Sequence, residues 1–173
     1  MDLIFLDFDG VITTLESGWE PEPSRMDMIR TLCGMCGARI VITSSWRHGN
    51  LRDTLQSLSG HGYTLGDMTA GVTDKHGPMR GDEIARYLDA HPEHGGYVIF
   101  DDDSDMLPCQ LPRFIHTHTY TGLQVPDCLE AIRLLTGRGR DMGYDDGAYR
   151  MAYEKDMFRR IGERLAKSKM GTD

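Results

Sequence analysis

The chain has 173 residues, 39% of them hydrophobic, and 27 acidic against 19 basic side chains give a formal charge of −8. That length suits one domain with a real core, and the acidic balance argues against generic attraction to nucleic acid while leaving room for a local basic surface. No apolar stretch approaches the roughly 20 residues that span a bilayer, and no charged-then-apolar leader precedes the first apolar run, so the sequence predicts a soluble, cytoplasmic protein without membrane contact.

In chain order, Leu3-Ile4-Phe5-Leu6 is continuously apolar, as expected of a central parallel strand buried on both faces. It runs into Asp7-Phe8-Asp9-Gly10-Val11, where Gly10 permits a sharp turn. A Pro/Glu-rich loop over 16–23 leads to a helix over 24–34 with Ser24 as N-cap. Arg39 to Ile42 read as a second buried strand, followed by Thr43-Ser44-Ser45-Trp46-Arg47 and a helix over 50–58. A short third strand falls within 63–72, a helix over 82–90 is closed by Pro92, strands follow at 97–100 and 113–116, and Pro126 opens a helix through 135. This alternation predicts an α/β fold, a doubly wound, Rossmann-like parallel sheet of about five strands.

The most informative feature is the pair Asp7 and Asp9. In strand geometry they share a face, and two neighbouring carboxylates repel unless a cation lies between them, a hard divalent ion such as Mg²⁺ being the usual one. Ligands of such sheets bind beyond the carboxyl ends of the strands. There the first strand delivers Asp7, the second Thr43 and Ser44, and the 97–100 strand the run Asp101-Asp102-Asp103-Ser104-Asp105. That run does not start an EF-hand, because Met106 stands where glycine is required and Pro112 where glutamate is.

Four cysteines, Cys33, Cys36, Cys109 and Cys128, fit reduced thiols. Cys33 and Cys36 form a lone C-x-x-C at the end of a helical pattern, which points to a structural role. His116 and His118 share a strand face without a third ligand nearby, so a structural or solvated role is expected of them as well.

Taken together, the motifs resemble those of the haloacid dehalogenase-like (HAD) superfamily of phosphohydrolases, over about residues 2–136. Asp7-Phe8-Asp9-Gly10-Val11 is similar to the first motif, Thr43 to the second, and Asp101-Asp102 to the fourth. Arg80-Gly81-Asp82-Glu83-Ile84 is the best match to the basic third motif, with Lys75 as the alternative; arginine for lysine keeps the charge and changes the geometry. The resemblance implies Asp7 as the nucleophile forming an aspartyl-phosphate and Asp9 as the acid and base. It further implies a Mg²⁺ held by Asp7, the Asp9 carbonyl and Asp101, with Asp102 acting through water or on the basic residue. Thr43 and amides near Ser44 would hold the phosphoryl oxygens, and Arg80 would offset their charge. Asp9 favours phosphate chemistry over carbon–halogen displacement, since dehalogenating members lack that carboxylate.

Members acting on small metabolites commonly carry a cap domain after the first motif or between the second and third. Neither interval here has room for a full cap, so the site is expected to be open and its phosphate to be carried on something bulky. Within the superfamily the chain resembles the phosphatase domain of polynucleotide kinase–phosphatases and related RNA-repair domains, through the 43–47 segment, Arg80 to Ile84 with Tyr87-Leu88, and Phe100 to Met106. That resemblance implies a 3′-phosphatase-like activity on a phosphorylated nucleotide or nucleic-acid end. Trp46 and Arg47 could then stack on a terminal base and contact a phosphate, or serve as a core residue and a helix-start charge; Trp19 could form a small flap or pack on its own loop. A protein phosphatase and a catalytically silent binding module are the competing readings. No Gly-rich phosphate loop suggests kinase activity.

From residue 137 on, nine basic and seven acidic side chains give +2, while residues 1–136 carry −10. The expected organisation is a HAD-like phosphatase domain over 1–136, then a linker at 137–140 and an amphipathic helix over 148–169 that docks on the domain, on a second copy or on a repair partner.

Overall fold

A computed structural model of the chain describes residues 1–48 and 50–137. The linker beyond Gly137 and the helix expected over 148–169, with the partner contacts expected of it, lie outside the described residues.

Five strands, β1 (Leu3–Leu6), β2 (Arg39–Ile42), β3 (Thr69–Val72), β4 (Tyr97–Asp101) and β5 (Phe114–His116), alternate with helices α1 (Pro23–Cys36), α2 (Leu51–Gly60), α3 (Arg80–Ala90) and α4 (Val125–Thr136). They form one parallel sheet in the order β3-β2-β1-β4-β5. The period-2 alternation of strand side chains divides the core between two faces. Ile4, Leu6, Ile40, Ile42, Val98 and Phe100 pack with Ile29 and Leu32 of α1, Leu58 of α2 and Ile132 of α4. Leu3, Phe5, Val41 and Ile99 pack on the other face with Ile84, Tyr87 and Leu88 of α3 and with Met106. Both faces being covered explains why these strands read as unbroken apolar runs.

The chain leaves β1 to build β2 and β3 on one side and returns to build β4 and β5 on the other. The strand order therefore reverses at β1, and the crevice beyond its carboxyl end lies between the ends of β2 and β4. Residues 11–22 hold turns and an isolated bridge from Thr13 to Asp9, and the stretch between β2 and α3 holds α2, a 3-10 turn (Gly66–Met68) and β3, so no cap domain is present among the described residues.

Several element ends differ from the sequence reading for identifiable reasons. α1 begins at Pro23, with Glu22 as N-cap and no side-chain cap bond, in place of the expected Ser24 cap: proline has no N–H to satisfy and its φ is already helical. It runs through Gly34 and stops at Gly37, whose φ of 64° is left-handed. α3 begins two residues earlier than its apolar periodicity indicates because Asp105, distant in sequence, caps it: its Oδ2 accepts from the Arg80 N–H at 2.7 Å and its carbonyl from the Gly81 N–H at 3.1 Å. Cys33 and Cys36 are unbridged, and burial pushes their thiols up to about 12 and about 11. Both are protonated at neutral pH, which disfavours thiolate chemistry.

Candidate active site

The apolar β1 strand carries Asp7 into the switch-point crevice, and the chain turns back at once through Gly10, whose φ is 72°. A Cβ on Gly10 would lie 2.1 Å from Cγ of Asp102, so glycine is required there for space as well as for conformation. The turn is closed by the Gly10 N–H donating to the Thr13 carbonyl at 2.8 Å, and Thr13 Oγ1 donates to Asp9 Oδ1, also at 2.8 Å. The other oxygen of Asp9 accepts from the indole Nε1 of Trp46 at 2.9 Å. Asp9 is thereby held by two donors, one on each carboxylate oxygen.

Asp7 is joined in the crevice by Asp101, the last residue of β4, and by Asp102. Each offers a carboxylate oxygen, and these atoms all lie within 4.8 Å of one another. Burial pushes the Asp7 carboxyl above the ordinary carboxylate range; Arg80, the Phe8 amide and the Ser44 hydroxyl oppose the shift, and the charge of Asp9 adds to it. Burial and the charge of Asp7 push Asp101 up as well, against Arg80. Asp101 Oδ1 accepts from the Asp103 N–H at 3.0 Å, whereas its buried Oδ2 has no hydrogen-bond partner. Thr119 Oγ1 donates to Asp102 Oδ2 at 2.6 Å. A hard all-oxygen donor set with an unsatisfied buried carboxylate oxygen fits a divalent cation such as Mg²⁺.

Thr43 and Ser44, both fully buried, continue β2 into the same crevice, and Thr43 Oγ1 has no partner. Arg80 reaches in from the first turn of α3: Nη1 lies 3.7 Å from Asp7 Oδ1 and Nε 3.5 Å from Asp101 Oδ2. Gly81 lets this helix end approach so closely, since a Cβ there would lie 2.6 Å from the Leu107 nitrogen. Lys75, the other candidate for the basic residue, is exposed and donates to the Ser45 carbonyl at 2.8 Å. It lines, with Ser45, Arg80 and Asp105, an open cavity of about 270 Å³ beside the carboxylates.

Arg47, for which a substrate contact and a helix-start charge were both open, is 4% exposed and lines the same cavity from inside the protein. Its guanidinium donates to the carbonyls of Thr43, Ser44, Thr73 and Asp74 and pairs with Glu83. Trp46 is half-buried, edge-on to His61 and Tyr63, and its polar edge faces Asp9. His116 and His118 do not continue one strand: β5 ends at His116, whose Nε2 lies 2.8 Å from the Asp102 carbonyl, and His118 Nδ1 accepts from the Tyr120 N–H.

Thr13, Glu83 and Thr119 join this site in roles not expected from the sequence. Asp105 had a visible signal in the acidic run after β4. Thr119 had none, because the loop after β5 reaches Asp102 only through tertiary folding.

A doubly wound parallel sheet with an Asp-x-Asp at the end of its central strand, a buried hydroxyl after the next strand and paired aspartates after β4 defines a HAD-type domain. The chain belongs to the family described as the HAD domain in Swiss Army Knife RNA repair proteins, whose family model matches residues 3–128. No curated protein and no solved structure matches the chain. Among the described residues no helix is long and apolar enough to cross a membrane.

Proposed function

We propose that the chain is a Mg²⁺-dependent phosphomonoesterase that acts on a phosphorylated nucleotide or polynucleotide end, in the manner of a 3′-phosphatase, through an aspartyl-phosphate. The observation that carries this reading is the meeting of Asp7, Asp101 and Asp102 with Arg80 at the sheet's switch point. An anionic nucleophile approaches an anionic phosphate only where cations offset both charges.

In this reading an oxygen of Asp7 attacks phosphorus while the ester oxygen departs with a proton from Asp9, leaving the phosphoryl group on Asp7. Asp9 then takes a proton from water, whose oxygen attacks phosphorus and returns Asp7 to its free carboxylate. The hydrogen bonds from Thr13 and Trp46 orient Asp9 for this second task. Thr43 Oγ1, buried and unpartnered, with the amides near Ser44, receives the phosphoryl oxygens, and Arg80 offsets their charge. Asp7, Asp101, Asp102 and the Asp9 carbonyl would hold the Mg²⁺, which supplies charge neutralisation at the phosphoryl group. Lys75 and Ser45, on the rim of the 270 Å³ cavity, suit the sugar or the next phosphate of the substrate. The crevice, which carries no cap among the described residues, and the RNA-repair family support a polymer end over a small metabolite.

Turnover compared on a 3′-phosphorylated oligonucleotide, a nucleoside monophosphate panel and a phosphopeptide tests the reading. The oligonucleotide is expected to be hydrolysed best, with activity lost on chelation and in Asp7→Asn. Activity on the phosphopeptide only would sink the proposed substrate, and wild type as inactive as Asp7→Asn on every phosphate would favour a binding module.

A further inference from the structure

We infer that Trp19 and Tyr120 form a stacking subsite for the nucleobase next to the scissile phosphate, an inference that rests on the nucleic-acid reading above. Trp46, Tyr63, Tyr87 and Tyr97 all pack against another ring. Trp19 and Tyr120 have no ring partner among the described residues, and they stand 41% and 51% exposed, with Leu15 at 52%. The two rings sit on loops that touch each other. The Leu15 N–H donates to the Thr119 carbonyl at 3.2 Å, the Trp19 N–H donates to the Thr14 carbonyl at 2.9 Å, and a Cβ on Gly122 would lie 2.6 Å from Thr14 Cγ2.

Both loops are also tied to the reacting centre. The first sends Thr13 to Asp9, and the second sends Thr119 to Asp102, one residue before Tyr120. Each loop thus turns a threonine inward to a site carboxylate and an aromatic ring outward to solvent. The platform is preorganised: Arg25 Nη2 donates to the Thr121 carbonyl at 2.8 Å and the Gly122 N–H to the His118 carbonyl at 2.7 Å. Trp19 itself holds a φ of 65°, a left-handed conformation that a bulky side chain rarely adopts.

The chemistry of the surroundings selects the ligand. Glu16 and Glu20, both exposed on the Trp19 loop, repel a phosphate backbone, so the subsite suits one uncharged aromatic ring at the end of a strand, not a strand tracked along its phosphates. Flat π faces flanked by an aliphatic side chain hold a base of any sequence.

The test compares kcat/KM on two oligonucleotides that differ only in the 3′-phosphorylated terminal residue, one bearing a base and one abasic. Trp19→Gly, which accepts the positive φ, and Tyr120→Ala are each set against wild type. The preference for the base-bearing end is expected to fall about 5- to 100-fold in each variant. Equal losses on both ends, or no loss on either, overturn the subsite while the phosphatase reading stands. A wild type that hydrolyses an alkyl phosphate and neither oligonucleotide overturns the proposed substrate and the subsite together. Circular dichroism of both variants confirms that they are folded.

Discussion

The Arg47 guanidinium and the Glu83 carboxylate meet 2.5 Å apart in the interior, and this pair joins the ends of β2 and β3 to the helix that carries Arg80. Burial dominates both titrations, pushing Glu83 up and Arg47 down, so desolvation works against the charges themselves. The gain is positional. Glu83 lies one turn after Arg80 on α3, and Arg47 also binds the carbonyls of Thr43 and Ser44, so one side chain sets the spacing between the buried hydroxyl and the basic residue.

Removing one partner strands the other charge inside. Arg47→Ala is expected to cost about 3–5 kcal/mol in urea unfolding. Arg47→Lys can serve no more than three of the five acceptors and should retain part of that stability. A cost under about 1 kcal/mol for Arg47→Ala would contradict the clamp.

Trp46→Phe separates packing from orientation. Phenylalanine keeps an aromatic contact with His61 and Tyr63 and loses the indole N–H that Asp9 accepts. A hydrogen bond to a charged acceptor is worth about 1.5–3 kcal/mol, so kcat on an oligonucleotide end should fall about 10- to 100-fold with the Tm little changed. An unchanged kcat would mean that Asp9 needs no holding.

Much of this was legible in the sequence because it obeys local rules. Leu3 to Leu6 and Val98 to Phe100 announce buried strands, and Asp7 and Asp101 follow them directly, so their convergence is a consequence of parallel topology. The clamp made by Arg47 was not legible, because nothing local distinguishes an arginine aimed at solvent from one spread over four carbonyls and a carboxylate at the ends of β2 and β3 and on α3. The early start of α3 was hidden for the same reason: its cap, Asp105, comes from beyond the next strand.

Gly10→Ala should be among the most damaging small substitutions in the chain. Alanine at a φ of 72° is strained by about 1–2 kcal/mol, and its methyl would overlap the Asp102 carboxylate. Relief requires Asp102 to move, which breaks its bond from Thr119. The variant is expected to lose stability by differential scanning calorimetry and to need more Mg²⁺ for half-maximal activity. A wild-type Mg²⁺ requirement would show that Asp102 is dispensable for holding the ion.

The crowded carboxylates make a prediction about pH and metal together. Asp7 and Asp101 are both held above the ordinary carboxylate range, chiefly by burial. A carboxyl raised in the folded state favours folding while protonated, so its contribution is full below the unfolded carboxylate pKa. It is lost as pH rises from there through the raised folded values. The metal-free protein should therefore lose stability from about pH 4 up to about pH 8 on account of these two groups, raised to about 6 and about 8, and Mg²⁺, which binds the ionised cluster, should restore more as the pH rises. Thermal unfolding with and without millimolar Mg²⁺ at about pH 5 and about pH 8 measures the difference. Asp101→Asn removes one of the opposed charges, so that variant should melt higher than wild type without metal at the upper pH and respond little to Mg²⁺. A Mg²⁺ shift as large at the lower pH as at the upper, or one retained in Asp101→Asn, would place the ion elsewhere than among Asp7, Asp101 and Asp102.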